Sequence, residues 1–433
     1  MTLPARWPFD VRRLPFFYGW AIWLLSTLGF LMSVPGQTMG MAVFTEAFMD
    51  AFGLTRTELS TAYFFGTMGS SLFLTRAGRW YDRHQARTMM AGASVVLGGV
   101  LLFISAIDVL VAGVGASTGG TLAFGLILLG YFGVRFSGQG VLTSASRNVL
   151  LVWFERRRGL VSGVRGVFVS LGFSVAPLLL AMLIDATGWR GALWALAAVV
   201  GGGFALACLV AVRDTPESCG LFPDGVSAEQ HAASPPLTVA SVTLEQARRS
   251  PVFWIYAAAL SMHALFGTAV TFHIVDIFDQ AGRSREEAFF YFVPQAVVST
   301  SVNLVASTLA DRMPLKPLLL IMLCGFVTGA FGLANLEADW GYALLIAGFG
   351  CGGGLWGVLS NLAFVRNFGR VHLGAISGLS TSLTVFASAV GPVLFSVGVD
   401  LLGSYVGAVW LCLGLNVVLL AAAVVVRQRE PAP

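Results

Sequence analysis

One pattern of small and turn-forming residues occurs twice in this chain, at a constant offset of 215 positions. The first copy reads Gly159, Ser162, Gly163, Pro177, Asp185, Gly188, and the second Gly374, Ser377, Gly378, Pro392, Asp400, Gly403. Six matching intervals at an offset near half of the 433-residue length point to duplication of one unit. Each copy opens in a basic loop and runs into a long apolar stretch. Both halves are therefore expected to cross a bilayer in the same orientation.

The composition requires a bilayer. With 56% hydrophobic and 11% charged residues and a mean hydropathy of +0.80, the chain has too little polar surface for a water-soluble fold. A helical span needs about 20 mostly apolar residues. Twelve such runs are present, near 18–46, 57–77, 87–108, 119–150, 159–184, 189–212, 252–278, 286–310, 316–336, 340–365, 373–398 and 404–427. Their many Gly, Ser and Thr residues allow close helix packing where no hydrophobic force between helices exists. The short alternating strands of a membrane barrel are absent from the sequence. The expected fold is an all-α membrane protein of twelve transmembrane helices in two parallel six-helix repeats. The expected organisation is an N-terminal bundle over 1–212, a linker over 213–250 and a C-terminal bundle over 251–433. Parallel repeats of this kind occur in transporters that rock two halves around a central site.

Of the 26 basic residues only Lys316 is not arginine, and about 21 fall at the termini or in the even-to-odd loops. They include Arg12, Arg13, Arg79, Arg83, Arg87, Arg156 to Arg158, Arg248, Arg249, Arg366, Arg370, Arg427 and Arg429. Only Arg56, Arg190, Arg283 and Arg285 lie in the opposite loops. The positive-inside rule then puts both termini in the cytoplasm. The net charge of +4 fits an anionic lipid surface and does not argue for nucleic acid. Met1 to Phe16 lacks the apolar core of a cleavable signal. The five cysteines form no CxxC pair and read as small buried hydrophobes.

Between spans six and seven, Pro216, Pro223, Asp224-Gly225 and Pro235-Pro236 break the apolar pattern. The linker is expected to be a tether, and Thr243-Leu244-Glu245-Gln246 has capping-box spacing for a short helix ahead of Arg248-Arg249.

Two loops carry the most specific motifs. Gly78-Arg79-Trp80-Tyr81-Asp82-Arg83-His84-Gln85-Ala86-Arg87 lies between spans two and three, and Ala310-Asp311-Arg312 is a shorter echo between spans eight and nine. An aspartate there can pair with arginines and with the positive N-terminus of a neighbouring helix. Such contacts would hold one side shut, so Gly78, Asp82, Arg83, Asp311 and Arg312 are read as gate residues. Arg147 and Arg165, near the basic ends of spans four and five, are assigned to gating as well.

The first loop resembles the G-x-x-x-D-R-x-x-x-R signature of the major facilitator superfamily, and Arg135-Phe136-Ser137-Gly138-Gln139-Gly140 is similar to its R-x-x-x-Q-G pattern in span four. Further motifs resemble the bacterial oxalate:formate antiporter and monocarboxylate porter branch. These are Tyr18-Gly19-Trp20, Arg147-Asn148 with Trp153-Phe154 and Arg157-Arg158-Gly159, Pro216-Glu217 with Gly220-Leu221 and Pro223-Asp224-Gly225, Phe253-Trp254, Phe368-Gly369-Arg370, His372-Leu373-Gly374 and Gly391-Pro392. That resemblance implies transport of a small organic anion of monocarboxylate type across a bacterial inner membrane, driven by protons or by exchange. In that branch a cation in span eight or eleven grips the carboxylate. Here span eight offers Gln295 and Asn303, and span eleven only Ser and Thr.

Arg135 is the basic residue deepest inside a span, and no acidic residue stands clearly at midplane. It either binds a substrate carboxylate or serves as a structural arginine bonded to carbonyls and hydroxyls. His263 and His273 in span seven are candidate proton carriers, His263 also a substrate contact, and each has the alternative of a hydrogen-bonded core histidine. Val34-Pro35-Gly36 breaks span one and could turn Gln37 toward a cavity. Tyr63, Tyr131, Gln139, Gln295, Asn303, Trp356 and Asn361 complete the candidate contacts, with plain packing as the alternative for each. No metal-ligand spacing, catalytic triad or P-loop is present, so neither an enzyme nor a cofactor nor ATP coupling is expected. The reading is a monomeric, proton-coupled secondary transporter of an organic anion. The alternatives are a proton-antiport exporter of drug-like or amphipathic molecules and a receptor that uses the same fold without flux.

Overall fold

The computed structural model describes residues 7–112, 116–227, 229–230 and 241–428. Pro235, Pro236 and Arg429 lie outside the described residues, as does Met1. Among the described residues the chain is helical and contains no strand.

Nine helices among the described residues are long and apolar enough to cross a membrane. Two of them carry a backbone break that splits them into two spans each. Arg56–Ser105 breaks at Gln85 (φ 62°), and the helical run that begins at Arg158 breaks at Gly188 (φ 72°). Gly19–Met32 is a shorter apolar helix. It ends where Pro35 interrupts the backbone ladder, and the chain resumes as Thr38–Ala42 and Thr45–Phe52. Counted this way the described residues hold twelve apolar helical segments, in line with the twelve expected spans. Large apolar side chains such as Leu72, Phe272 and Val425 stand exposed, as a lipid-facing surface requires.

The helices depart from the sequence reading in three places. The stretch 78–86 is not an open loop, because helix continues through it apart from the turn at Gln85. Span seven ends at Phe272 and restarts as Ile274–Gln280, with His273 at the junction. Span four contains a π-helical stretch, Arg135–Leu142, over the motif that carries Arg135 and Gln139. The short helix after the linker forms as expected. Leu244–Arg249 is capped by Thr243, with Gln246 completing the box.

The chain packs as two compact units. One comprises Met1–Glu155, Val167–Pro235 and Leu373–Ser382, and the other Arg156–Gly166, Pro236–His372 and Leu383–Pro433. Each unit is thus completed by a short stretch from the opposite half of the sequence. These stretches are the starts of helices Arg158–Ala197 and Leu373–Leu402, where the repeated Gly-x-x-Ser-Gly pattern lies.

In the first unit, glycine lets backbones meet. Gly98 approaches Gly201, and Gly36 at the break of span one approaches Gly138 in the π-helical stretch. The start of the linker is more than a tether. Trp153 donates to the Arg213 carbonyl at 3.0 Å, the Glu155 amide donates to Asp224 at 3.0 Å, and the Arg87 amide donates to Asp214 at 2.8 Å. In the second unit, Leu315–Ala334 and Asp339–Phe368 pack through Gly325, Gly329, Gly348 and Gly352.

Candidate functional site

In the first unit the candidate residues gather around the break in span one. Pro35 frees carbonyls there, and Arg135 supplies donors to the broken, buried turn. One guanidinium nitrogen donates to the Gly36 carbonyl at 3.2 Å and reaches the Thr38 hydroxyl at 3.4 Å. The Tyr63 ring lies 5.2 Å from the guanidinium carbon, and its hydroxyl donates to Thr38 at 2.8 Å. Tyr131 packs edge-on against Tyr63. Each contact offsets part of the cost of holding a cation in the bilayer. Arg135 Nε remains buried without a partner among the described residues, as does Gln139 Oε1 one turn later. Gln37 points elsewhere, donating to Ser33 Oγ at 3.0 Å.

Arg147 stands three turns further along the same span, six residues before the helix ends at Trp153. It is half-buried, and among the described residues its side chain makes no hydrogen bond or ion pair. Its neighbour Asn148 donates to Ser377 Oγ at 3.3 Å.

In the second unit a different cluster forms. The His263 ring stacks on Phe326 at 4.7 Å and leans on Trp356 at 5.2 Å. Its Nδ1 is buried without a partner among the described residues. The absent side chain of Gly353 leaves a small gap here. A Cβ at that glycine would sit 3.4 Å from Ser299 Oγ, 3.7 Å from Gln295 Nε2 and 3.9 Å from His263 Cε1. Ser299 joins this set only through the fold, since in sequence it is one of many serines. Trp356 spends its N–H on the Leu260 carbonyl at 3.1 Å, leaving a ring face as its contribution.

Asn303 and Asn361 are engaged in packing. Asn303 donates to the Gly354 carbonyl at 3.0 Å. Asn361 donates to the Gly357 carbonyl at 2.6 Å and accepts from Arg165 at 2.7 Å. His273 belongs to neither cluster. It sits at the junction in span seven, bonded to the Pro392 carbonyl at 3.0 Å.

The two motif aspartates perform the same task in the two units. Asp82 accepts from the Gly374 and Ala375 amides at 2.7 and 2.8 Å. Asp311 accepts from the Gly159 and Leu160 amides at 2.6 and 2.9 Å. Each carboxylate therefore caps the N-terminus of the helix that carries the repeated pattern, where the dipole favours negative charge. The repeated glycines make this approach possible. A Cβ at Gly374 would overlap the Gly78 carbonyl and the Asp82 carboxylate, and one at Gly159 would overlap the Ser307 carbonyl and Asp311. The adjacent motif residues Arg83 and Arg312 are exposed, with no side-chain hydrogen bond or ion pair among the described residues.

The sequence model described as Major Facilitator Superfamily matches residues 25–392. The chain belongs to the Major Facilitator Superfamily. Solved structures agree on the fold of this superfamily member. The proton:xylose symporter XylE, bound to 6-bromo-6-deoxy-D-glucose, superposes with a TM-score of 0.68 at 14% identity, covering 95% of this chain and 97% of that one. The fucose:proton symporter FucP of E. coli gives 0.61 at 15% identity, over 94% and 98% of the two chains. The human organic anion transporter MFSD10 gives 0.62 at 14% identity, over 95% and 100%. No curated protein sequence matches the chain. Superfamily membership makes this chain a multi-pass membrane transporter.

Proposed function

We propose that this transporter moves a small organic anion of monocarboxylate type across a bacterial inner membrane, coupled to protons, with both termini in the cytoplasm. The observation that carries the reading is the charge balance of span four. Arg135 and Arg147 are two cations within one span, and among the described residues neither forms an ion pair with a carboxylate. A buried cation costs several kcal/mol unless compensated. A substrate carboxylate is the natural partner, held by a planar fork of donors.

The two arginines divide the work. Arg135 braces the broken turn of span one through one terminal nitrogen, and its Nε has no partner among the described residues. Arg147 has its whole guanidinium available. In the first unit Gln139 and Tyr63 stand beside Arg135 as further polar contacts; in the second, His263, Gln295 and Trp356 form their own cluster. A neutral imidazole with an unpartnered Nδ1 is a reasonable proton carrier, so His263 serves coupling as well as binding. The branch motifs around Tyr18, Pro216 and Gly391 support the same substrate class.

Transport would proceed by alternating access of a bundle over 1–212 and one over 251–433, joined by 213–250, within a single chain. The contacts made by Asp82 and Asp311 are then the gate. They attach residues 373–382 and 156–166 to the unit of the opposite half, and opening of that side would release them. In this picture the glycines of the repeat are gate surfaces rather than substrate contacts.

The test is uptake in proteoliposomes with an imposed pH gradient and a panel of formate, oxalate, lactate and larger monocarboxylates. Accumulation or counterflow of at least one of them is expected. If none competes while a lipophilic cation is moved against the gradient, the exporter reading replaces this one.

A further inference from the structure

The junction in span seven carries a hydrogen-bond chain that ends on a carboxylate. His273 Nε2 lies 3.0 Å from the Pro392 carbonyl and 3.4 Å from Ser396 Oγ. Its Nδ1 lies 3.2 Å from the Tyr405 hydroxyl, which in turn lies 3.4 Å from Asp276 Oδ2. The imidazole is buried and flanked by the rings of Phe272 and Phe395. Tyr405 is held at the start of the last helix, where its amide donates to Gln280 Oε1 at 3.3 Å. A carbonyl can only accept, so the Pro392 contact keeps a proton on Nε2 in both charge states of the ring. Nδ1 is therefore the position that gains or loses a proton.

We propose that His273, Tyr405 and Asp276 form one proton-binding site, in which protonation of Nδ1 turns the Tyr405 hydroxyl from the imidazole to the Asp276 carboxylate. Tyr405 has one phenolic proton and two acceptors within reach. When the ring is neutral, the hydroxyl donates to Nδ1. When Nδ1 carries a proton, it donates to the phenol oxygen, and the phenolic O–H turns to donate to Asp276 Oδ2. One proton is added, no covalent bond breaks, and the charge of the three groups goes from −1 to 0. The imidazolium is then linked to its counter-charge through a neutral phenol. A phenol is uncharged near neutral pH, so Tyr405 remains an O–H and can act as the rotor. Among the described residues, Tyr405 and, behind it, Asp276 are the titratable groups hydrogen-bonded toward the imidazole, and the charge of Asp400 acts on Tyr405.

The repeat underlines the assignment. The position of Tyr405 in the second copy is that of Arg190 in the first, at the same 215-residue offset. Arg190 forms an ordinary ion pair with Asp108. The second half holds a titratable chain where the first holds a fixed pair.

This site deepens the proton-coupled reading, and its test needs no substrate. In the full chain, purified in detergent and labelled with 13C-histidine and 13C-tyrosine, the His273 signal is assigned by its loss in His273→Gln. We expect His273 to titrate together with the ring-carbon shift of Tyr405. Asp276→Asn and Tyr405→Phe should each lower the His273 midpoint, the former by about one pH unit, because removing the carboxylate or its link disfavours the charged ring. A His273 that does not titrate, a Tyr405 signal that does not move with it, or an unchanged midpoint in Asp276→Asn overturns the proposal. If either variant fails to fold, the joint titration in the parent protein decides. Absence of gradient-driven uptake in proteoliposomes would sink the coupling reading while leaving these midpoints untouched.

Discussion

Arg135 and Arg147 lie about 18 Å apart along one helix and behave differently when replaced. Arg135→Gln should strand the Gly36 carbonyl at the break of span one, at a cost of about 1–3 kcal/mol, seen as a lower melting temperature in detergent. Arg147→Gln removes no bond among the described residues and should leave the melting temperature near that of the parent. It should weaken binding of whichever carboxylate the panel identifies by about tenfold or more. Unchanged affinity in Arg147→Gln, with lost affinity and normal melting in Arg135→Gln, would reverse the assignment. For His263, replacement by glutamine should spare counterflow and reduce accumulation driven by a pH gradient. A variant that still accumulates normally would place the coupling proton elsewhere. The sequence named both arginines and His263, because charged and titratable residues are rare in apolar runs. It could not tell which were already engaged. That depends on a carbonyl at position 36 and a ring at position 356, far away in the chain.

At the level of elements, the repeated pattern is a helix start built to receive a carboxylate. Asp82→Asn and Asp311→Asn keep the size of the cap but lose its charge, and each should cost about 0.5–2 kcal/mol of the closed arrangement. The readout is accessibility. A cysteine placed at Ser377 should react faster with a small maleimide in Asp82→Asn than in the parent background. Equal rates would show that Asp82 does not keep that side shut. Gly374→Val should impair the closed arrangement more than Asp82→Asn, because its side chain would collide with the Gly78 backbone rather than merely remove a charge. The glycine spacing was legible in the sequence as a duplication. Its purpose was not, because the partner carboxylates lie 292 and 152 residues away along the chain. The helical character of 78–86 was also hidden, since charged residues at that density read as a loop.

For the whole molecule, the arginine asymmetry makes a topological prediction. On a background without the five native cysteines, His84→Cys should be labelled by an impermeant maleimide only after the cells are opened. Gly282→Cys should be labelled from outside, and the reverse pattern would invert the orientation. Local composition was enough to determine the class of this protein. Apolar runs of span length, a charge bias between alternating loops and a fixed repeat offset all follow from the chain's contact with lipid and water, which each residue makes on its own. The tertiary structure decided what pairs with what. It joined Arg135 to the broken turn of span one, left Arg147 without a partner among the described residues, and set His273 against Tyr405 and Asp276. It also gave each compact unit a helix start from the opposite half. These are contacts between distant residues, made by packing that a single sequence does not encode position by position.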